Sequence, residues 1–302
     1  MKKILFDTDL LGDDLLALFA MVKDPDVEIA GVTAYGRRIP SVERCKTACA
    51  FLEEQEISDI HFVPGVSHPL VRRPLPGCRY CDDVLCTLHT AWSHTKNIHN
   101  VIEDSVHAAS FIVDTVKRNP KEFSLLCTGP LTNIALAVLL CPELPYLIKE
   151  ITVMGGTWKE CGNSSAVAEA NIYNDPEAAK IVFASFPSVT IVPLDITMQV
   201  TIKTADLPQD VPSSVSGIVA SCCRAHSDRG EDAKMPLHDV LAFLVMKYPD
   251  LAEKRKCAIH IETKSSKSSG MMIFDFLRGD HMLCCNVNSQ KATEFFLELL
   301  ER

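Results

Sequence analysis

Four aspartates, Asp7, Asp9, Asp13 and Asp14, lie within eight residues directly after the apolar run 4–6. Carboxylates this close together repel one another unless a cation or a bound ligand offsets their charge. Ligand sets made only of oxygen favour calcium or magnesium over zinc. An acidic turn that caps the following helix explains one or two of the four acids, but not all of them. The cluster therefore predicts a site for a hard cation at the end of a buried strand.

Composition limits the class of protein and its partners. The chain has 302 residues, of which 47% are hydrophobic and 23% charged, as is typical of a soluble globular protein. Its net charge of −9, without any run of lysines or arginines, disfavours nucleic acid and anionic membranes as partners. No apolar stretch reaches the length of a membrane span and no signal-peptide pattern follows Met1, so we expect a cytoplasmic protein.

Thirteen cysteines are scattered along the chain without the spacing of a disulfide framework. We expect most of them to be reduced, small apolar residues of the core. Cys78, Cys81, Cys86 and His89 are an alternative zinc site, because they offer four soft ligands at short spacing. The spacing fits no common zinc pattern, so a loop that simply carries cysteines is the interpretation we favour.

Short apolar runs alternate with helical patterns through the first two thirds of the chain. Strands are predicted at 4–6, 27–35, 60–63, 123–127, 148–154 and 189–194, and helices at 14–23, 41–54, 104–118, 131–140 and 176–185. This alternation predicts an α/β fold with a mostly parallel central sheet flanked by helices on both faces. In such sheets the ligand site lies beyond the carboxyl ends of the strands, where the aspartate cluster falls.

The last hundred residues follow a different pattern, and nothing separates them from the rest. Helices are predicted at 212–226, 237–248 and 289–301, and strands at 257–262, 270–276 and 281–287. Because the chain contains no linker, repeat or low-complexity tract, we expect residues 1–302 to form a single domain. Segment 65–100 lacks clear periodicity and is interpreted as an active-site loop or lid.

Three further segments place polar residues where a strand or a loop leads into a helix. They are the run 128–133 (Thr-Gly-Pro-Leu-Thr-Asn), the stretch 154–171 with its glycines, asparagines and Glu169, and the pair His238-Asp239. Taken singly, each is explained as a turn or a helix N-terminus. Together they are predicted to converge with the aspartate cluster at one edge of the sheet.

The order and spacing of these motifs resemble the inosine-uridine-type nucleoside hydrolase family. The family's N-terminal signature, Asp-x-Asp-Pro-Gly-x-Asp-Asp, has its four acids at the positions of the aspartate cluster. The runs 128–133, 154–156, 162–163, 168–171, 175–179 and 238–239 match in the same order, so the resemblance covers nearly the whole chain. It implies a single-domain, Rossmann-like architecture and a homo-oligomer, either a dimer or a tetramer. The implied substrate is a small-molecule nucleoside of purine or pyrimidine salvage.

The resemblance also implies a reaction and a set of residues for it. The reaction is hydrolysis of the N-glycosidic bond of a ribonucleoside to ribose and free base, with Ca²⁺ as the cofactor. The ion would be held by Asp9, Asp14, Asp239 and the backbone carbonyl of Thr128, and the ribose by Asp13, Met154, Asn163, Glu169 and Asn171. Asp9 is also the implied general base for a calcium-bound water, and His238 the implied acid for the departing base. The transition state is a ribosyl cation, so nearby carboxylates stabilise its developing charge.

The sequence departs from the family at four places, and the last two of these are regions that contact the base in the family. Leu10-Leu11 replaces Pro-Gly, Arg37 replaces an asparagine, Ala170 replaces an aromatic residue, and the His-Gly-rich motif near residue 80 is missing. Arg37 is either a charge-balancing partner for Asp13, which we favour, or a contact for an anionic group of the substrate. The small side chain of Ala170 predicts a base pocket wide enough for a bulky or modified base.

Two other functions fit part of the pattern. A haloacid-dehalogenase-type phosphatase also places Asp-x-Asp after its first strand, but that function leaves the stretch 154–171 and the pair 238–239 unexplained. A non-catalytic nucleoside- or ribose-binding protein on the same fold would keep the ion and sugar residues, yet binding alone need not preserve His238.

Overall fold

A nine-stranded sheet runs through the molecule and accounts for the alternating pattern of the sequence. The computed structural model describes residues 1–73, 101, 107–226 and 233–302. The strands of the sheet are β1 (Lys2–Thr8), β2 (Val27–Ala34), β3 (Phe62–Pro64), β4 (Phe123–Cys127), β5 (Glu150–Met154), β6 (Thr190–Val192), β9 (Ala252–Ile261), β10 (Met272–Asp275) and β11 (His281–Val287). Two short strands, β7 (Thr201–Ile202) and β8 (Met235–Pro236), form a separate antiparallel pair.

The order of the strands across the sheet is β10-β9-β11-β6-β5-β4-β1-β2-β3. Neighbouring strands are parallel from β3 to β11, and only β9 and β10 are antiparallel to their neighbours. The predicted α/β fold with a mostly parallel sheet is therefore confirmed. The chain runs from β1 outward to β3 and then returns to β4 on the other side of β1. Such a reversal opens a crevice at the carboxyl ends of β1 and β4.

Helices cover both faces of the sheet. They are α1 (Gly12–Lys23), α2 (Ser41–Glu53), α3 (Ala108–Arg118), α4 (Thr132–Leu140), α5 (Leu144–Leu147), α6 (Ala170–Asn174), α7 (Pro176–Ser185), α8 (Leu194–Thr197), α9 (Ser213–His226), α10 (His238–Lys247) and α11 (Ser289–Leu300). Two 3-10 turns lie at Thr204–Asp206 and Pro249–Leu251. Throughout the described ranges, every helix is too short or too polar to cross a bilayer.

Strand β1 shows how the sheet builds two cores. Its side chains alternate between the two faces, as in any β-strand. Ile4 and Phe6 lie in the core formed with α1, α2, α9, α10 and α11, and Leu5 lies in the core formed with α3, α4 and α7. All three are at most 1% exposed. A strand buried on both faces is a rigid base for the polar residues that follow it.

Ten cysteines lie within the described residues; no disulfide joins any two of them, and eight of the ten are buried. Their burial agrees with the interpretation of these cysteines as small core residues. Cys78, Cys81, Cys86 and His89, and with them the alternative zinc site, lie outside the described residues. Most of the segment 65–100, interpreted above as a loop or lid, also lies outside them.

Candidate active site

A cavity of about 300 Å³ opens at the crevice between β1 and β4. Its walls come from the β1–α1 turn, the end of β4, the segment between β5 and α6, and the first turn of α10. The lining includes Asp9, Asp13, Asp14, Thr128, Met154, Asn163, Glu169, Asn171, His238 and Asp239. The structure thus brings every residue that the resemblance assigns to the ion, the ribose or the leaving base to one cavity. Arg37 is not among its lining residues.

Three carboxylates meet in this cavity. Asp13, Asp14 and Asp239 each place an oxygen within 4.8 Å of the other two. Asp13 and Asp14 belong to the first turn of α1, and Asp239 belongs to the first turn of α10, which packs against α1.

The electrostatics of this group indicate a cation site. Burial raises the pKa of Asp14 and that of Asp239 well above ordinary carboxyl values, and repulsion from neighbouring carboxylates raises them further. A divalent cation would remove the repulsion, and a set of oxygen donors is the kind that Ca²⁺ and Mg²⁺ prefer. The residues present therefore fit a hard cation.

Asp9 and Asp13 are arranged differently from what the resemblance implies. It assigns Asp9 to the ion and Asp13 to the ribose, whereas the close group contains Asp13 and not Asp9. Asp9 lines the same cavity and is 4% exposed. Both residues are thus within the site, and their separate roles stay predictions.

The turn between β1 and α1 orients Asp14 through three donors. Its Oδ1 accepts hydrogen bonds from the hydroxyls of Thr8 and Thr128, and its Oδ2 accepts one from the backbone N–H of Leu11 at 2.8 Å. Leu10 adopts a left-handed conformation with φ of 51°, although its side chain is only 2% exposed. The carboxylate is therefore held in place by β1, β4 and the turn before any ligand binds.

Asp7 lies beneath the cavity and does not line it. Its Oδ1 accepts from the hydroxyl of Thr33 at 2.6 Å and from the side-chain amide of Asn133 at 2.9 Å. Its Oδ2 is buried and has no hydrogen-bond partner. Burial raises the pKa of Asp7 to about 7, and the two hydrogen bonds oppose this rise. Because Asn133 also accepts from the N–H of Val66 at 3.1 Å, Asp7 connects β1 to the segment after β3.

Glu169 organises the wall contributed by the segment between β5 and α6. It caps α6, since Oε1 accepts from the N–H of Asn171 at 2.7 Å and Oε2 accepts from the N–H of Ile172 at 3.2 Å. Oε2 also accepts from the N–H of Gly156 at 2.9 Å. Burial raises the pKa of Glu169 to about 7, against the effect of these three donors. The carboxylate thus ties the end of β5 to α6.

Two asparagines on this wall have one amide atom each engaged by the protein. Asn171 donates through Nδ2 to the carbonyl of Thr128 at 2.8 Å, and Asn163 accepts through Oδ1 from the N–H of Ala170 at 2.9 Å. An amide has both a donor and an acceptor end, and among the described residues Oδ1 of Asn171 and Nδ2 of Asn163 have no partner, which leaves both atoms for a ligand. The Thr128 carbonyl likewise keeps a second lone pair.

His238 stands at the first position of α10, on the rim of the cavity. Its Nδ1 lies 2.6 Å from the hydroxyl of Thr197, the last residue of α8, so Nε2 is the nitrogen left for a ligand. Burial lowers the pKa of His238 to about 3, with a further contribution from His226, whose ring centroid lies 6.2 Å away. The imidazole is therefore neutral near pH 7 in this environment.

Arg44, rather than Arg37, is the arginine that reaches the aspartate turn. Its guanidinium donates to the carbonyl of Asp9, its Nε donates to the carbonyl of Ile39 at 3.2 Å, and it is 1% exposed. Between the described residues, no ion pair joins Arg37 to Asp13, and the Nε of Arg37 is buried without a partner. The favoured interpretation of Arg37 as a partner of Asp13 thus finds no contact to support it.

Sequence reasoning missed Arg44, Thr197 and His226. A signal for Arg44 was present, because it precedes Ala48 and Phe51 by four and seven residues and so lies on the apolar stripe of α2. Thr197 and His226 carried no such signal. Both depend on where α8 and α9 place them relative to α10.

Comparison with known proteins agrees with this geometry. The model of the inosine-uridine preferring nucleoside hydrolase family matches residues 4–296. An uncharacterized protein of Schizosaccharomyces pombe is 32% identical, with 99% of this chain and 98% of that protein covered. The inosine-uridine preferring nucleoside hydrolase of Crithidia fasciculata is 28% identical, with coverage of 100% and 98%. Among solved structures, the plant nucleoside hydrolase PpNRh1 superposes with a TM-score of 0.89 at 23% identity, covering 99% of this chain and 98% of that one.

These matches overturn the phosphatase alternative, since the family model spans the segments that a phosphatase leaves unexplained. They agree with the motifs around the cavity, which come from both halves of the chain. The chain belongs to the inosine-uridine preferring nucleoside hydrolase family and is a hydrolase of the N-glycosidic bond of ribonucleosides.

Proposed function

We propose that this enzyme hydrolyses its ribonucleoside with Ca²⁺ held by Asp9, Asp14, Asp239 and the carbonyl of Thr128. The observation that carries the proposal is the group of carboxylates in the cavity: Asp14 and Asp239 lie within 4.8 Å of each other and of Asp13, and Asp9 lines the same cavity. Within the described ranges, none of the four aspartates around the cavity forms an ion pair. Their charge therefore calls for a bound cation.

When bound, a calcium ion supplies positive charge that orients sugar hydroxyls and lowers the pKa of water. Asp9 takes the proton from the attacking water, a role that a buried carboxylate lining the cavity can perform. The negative charges of Asp9 and Asp13 also stabilise the ribosyl cation as the bond to the base breaks.

The ribose is gripped by groups that the protein leaves unengaged. Asn171 offers Oδ1 to a sugar hydroxyl, and Asn163 offers Nδ2 to a sugar oxygen. Glu169 accepts three backbone hydrogen bonds on two oxygens, and a carboxylate has about four acceptor sites, so one remains for a hydroxyl. Asp13 completes the polar contacts and Met154 packs beside the ring. Fixing the sugar in this way places its anomeric carbon for attack.

His238 assists the departing base. The Nδ1 of His238 lies 2.6 Å from the Thr197 hydroxyl, so Nε2 is the nitrogen that faces the base. A neutral ring with its proton on Nε2 donates a hydrogen bond to a ring nitrogen of the base, and this offsets the negative charge that develops there as the base leaves.

Release of reducing sugar from a nucleoside tests this assignment. Asp9→Asn should lower kcat by about 100-fold or more, as expected when a general base is removed. Asp210→Asn, at an exposed aspartate outside the cavity, is the matched control and should leave kcat unchanged. A chelator should abolish activity, and added calcium should restore it and raise the melting temperature. Full activity in the presence of chelator would refute the calcium assignment, and nucleoside binding without sugar release would favour the non-catalytic alternative.

We propose in addition that the enzyme acts in the cytoplasm as a homo-oligomer. Leu139, Leu140 and Tyr146, at the end of α4 and in α5, are all at least 60% exposed, which supports an interface at this surface. Light scattering of the purified protein should give a mass of two or four chains; a monomer at micromolar concentration would contradict the proposal.

A further inference from the structure

A second chamber of about 480 Å³ adjoins the active-site cavity. The two share Asn163, His226 and His238 as lining residues. The rest of the chamber is lined by the segment 160–162 and by residues on and just after α8, namely Leu194, Asp195, Met198 and Gln199. The proposed ion and general base lie outside the lining of this chamber.

Hydrogen bonds give the chamber a defined wall. The carboxylate of Asp195 accepts from the backbone N–H groups of Trp158 at 2.8 Å, Lys159 at 2.6 Å and Glu160 at 3.1 Å. The hydroxyl of Thr157 donates to the carbonyl of Glu160 at 2.8 Å. The segment that leads to Asn163 is thus attached to α8, and the chamber lies between them.

The position of His238 relates the chamber to the substrate. In the proposed function the leaving base lies against His238 and accepts its hydrogen bond, while the ribose is held by Asn163 and Glu169, which line the same cavity. Since His226 and His238 line both spaces, the chamber begins at the edge of the base that lies beside these two histidines. A group attached to that edge would enter it.

We propose that the chamber binds a substituent of the leaving base, an inference that rests on the proposed function. The substituent is a neutral or cationic alkyl chain on an exocyclic amine of the base, called the arm below. A water molecule occupies about 30 Å³ of liquid, so the chamber has room for an arm of several heavy atoms. Leu194 and Met198 supply apolar contact for such an arm, and Met198 is 53% exposed.

The charges of the chamber indicate which terminal group the arm should carry. Glu160 and Asp195 are both acidic, and no lysine or arginine appears among the described residues that line the chamber. The Asp195 oxygens are occupied by backbone N–H groups, whereas the Glu160 carboxylate forms no hydrogen bond or ion pair with the described residues. An ammonium group is therefore attracted to this end and a carboxylate is repelled.

A matched series of nucleosides tests the inference. Butyl, 4-aminobutyl and 3-carboxypropyl arms are placed on N6 of adenosine and on N4 of cytidine, and kcat/KM for base release is compared on the parent that is hydrolysed faster. The butyl and aminobutyl nucleosides should be hydrolysed at least as efficiently as the parent. The aminobutyl arm should exceed the carboxypropyl arm by about tenfold, the size of one attractive against one repulsive partly exposed ion contact.

Two substitutions locate the effect in the chamber. Met198→Trp fills the space and should lower the efficiency of the butyl nucleoside relative to its parent by about tenfold. Glu160→Gln should reduce the preference for the amine over the carboxylate by about threefold or more. The controls are Leu277→Trp, at a side chain that is 93% exposed, and Glu298→Gln on α11; both should leave these ratios unchanged.

The outcomes separate this inference from the function on which it rests. If the enzyme hydrolyses unsubstituted nucleosides but none that carries an arm, the proposed role of the chamber is wrong and the hydrolase assignment stands. Arms that are accepted equally by the parent protein and by Met198→Trp would overturn the location. A protein that releases sugar from no nucleoside would overturn both.

Discussion

Replacing Glu169 by glutamine should destabilise the fold, although the two side chains have nearly the same shape. Glu169 is 2% exposed, and its two oxygens accept three backbone hydrogen bonds from Gly156, Asn171 and Ile172. A glutamine amide has one oxygen and one NH₂ group, and the NH₂ group cannot accept. At least one backbone N–H must then lose its partner inside the protein.

The geometry sets the size of the effect. If the amide oxygen takes the place of Oε2, it keeps the hydrogen bonds from Gly156 and Ile172, and only the N–H of Asn171 loses its acceptor. The opposite orientation leaves two donors, the N–H groups of Gly156 and Ile172, without an acceptor and is therefore less favourable. One buried, unsatisfied donor costs about 1–3 kcal/mol of unfolding free energy. In a chain of this size the melting temperature should fall by roughly 2–5 °C.

Urea unfolding of Glu169→Gln and of the parent protein near pH 4.5 measures this difference. Because burial raises the pKa of Glu169 to about 7, its folded side chain is neutral at this pH, and relief of a buried charge does not enter the comparison. The matched control is Glu298→Gln, at an exposed glutamate of α11, which should leave the unfolding free energy unchanged. A loss of less than about 0.5 kcal/mol in Glu169→Gln, as for an ordinary surface substitution, would refute the reasoning. It would mean that α6 and the end of β5 do not depend on this carboxylate.

Three further predictions concern stability away from the proposed chemistry. Leu10 has a left-handed backbone, which glycine adopts without strain. The unfolding free energy of Leu10→Gly, measured in urea, should therefore exceed that of Leu10→Ala by about 0.5–1 kcal/mol. The reverse order would contradict this prediction. His281 accepts from the N–H of Val189 at 3.1 Å, its Nε2 lies 3.0 Å from the carbonyl of Phe183, and burial lowers its pKa below 6.5. His281 therefore binds a proton more readily in the unfolded chain than in the folded protein, so the unfolding free energy should fall as the pH drops below 6.5. This part of the pH dependence should be absent from His281→Gln. Arg72 donates to Glu177 from two nitrogens, at 2.8 and 2.7 Å, and to the carbonyl of Thr263 at 2.6 Å. Arg72→Lys should lower the unfolding free energy by about 1 kcal/mol, because a lysine ammonium cannot replace the planar guanidinium in these contacts. Arg278→Lys, at a side chain that is 80% exposed, is the control and should leave the unfolding free energy unchanged.

Elements with a strong internal pattern were predicted closely. The apolar run 123–127 was assigned to a strand, and β4 spans Phe123–Cys127; the run 131–140 was assigned to a helix, and α4 spans Thr132–Leu140. Both are surrounded by core residues, so their own apolar side chains decide the outcome. The strand predicted at 257–262 begins five residues earlier, at Ala252. Its first half is rich in charge and is held by pairing with β11, which leaves no local signal.

Short helices were missed for the same reason. α6 and α8 have five and four residues, too few for a periodic pattern. α6 forms because the side chain of Glu169 caps it while also reaching Gly156, thirteen residues earlier in the chain. Such a contact cannot be read from the residues of the helix itself.

The amino-acid sequence by itself determined the family, the fold class and the set of polar residues around the cavity, because motif order and hydrophobic periodicity are properties of the linear chain. The tertiary structure decided which of those residues touch. Asp13, rather than Asp9, joins Asp14 and Asp239 in the close group, Arg44 reaches the turn in place of Arg37, and Thr197 orients His238. These contacts depend on how α1, α2, α8 and α10 pack at the ends of β1 and β4. Differences of a few ångströms in that packing select one carboxylate or one arginine over its neighbour, and no spacing along the chain encodes them.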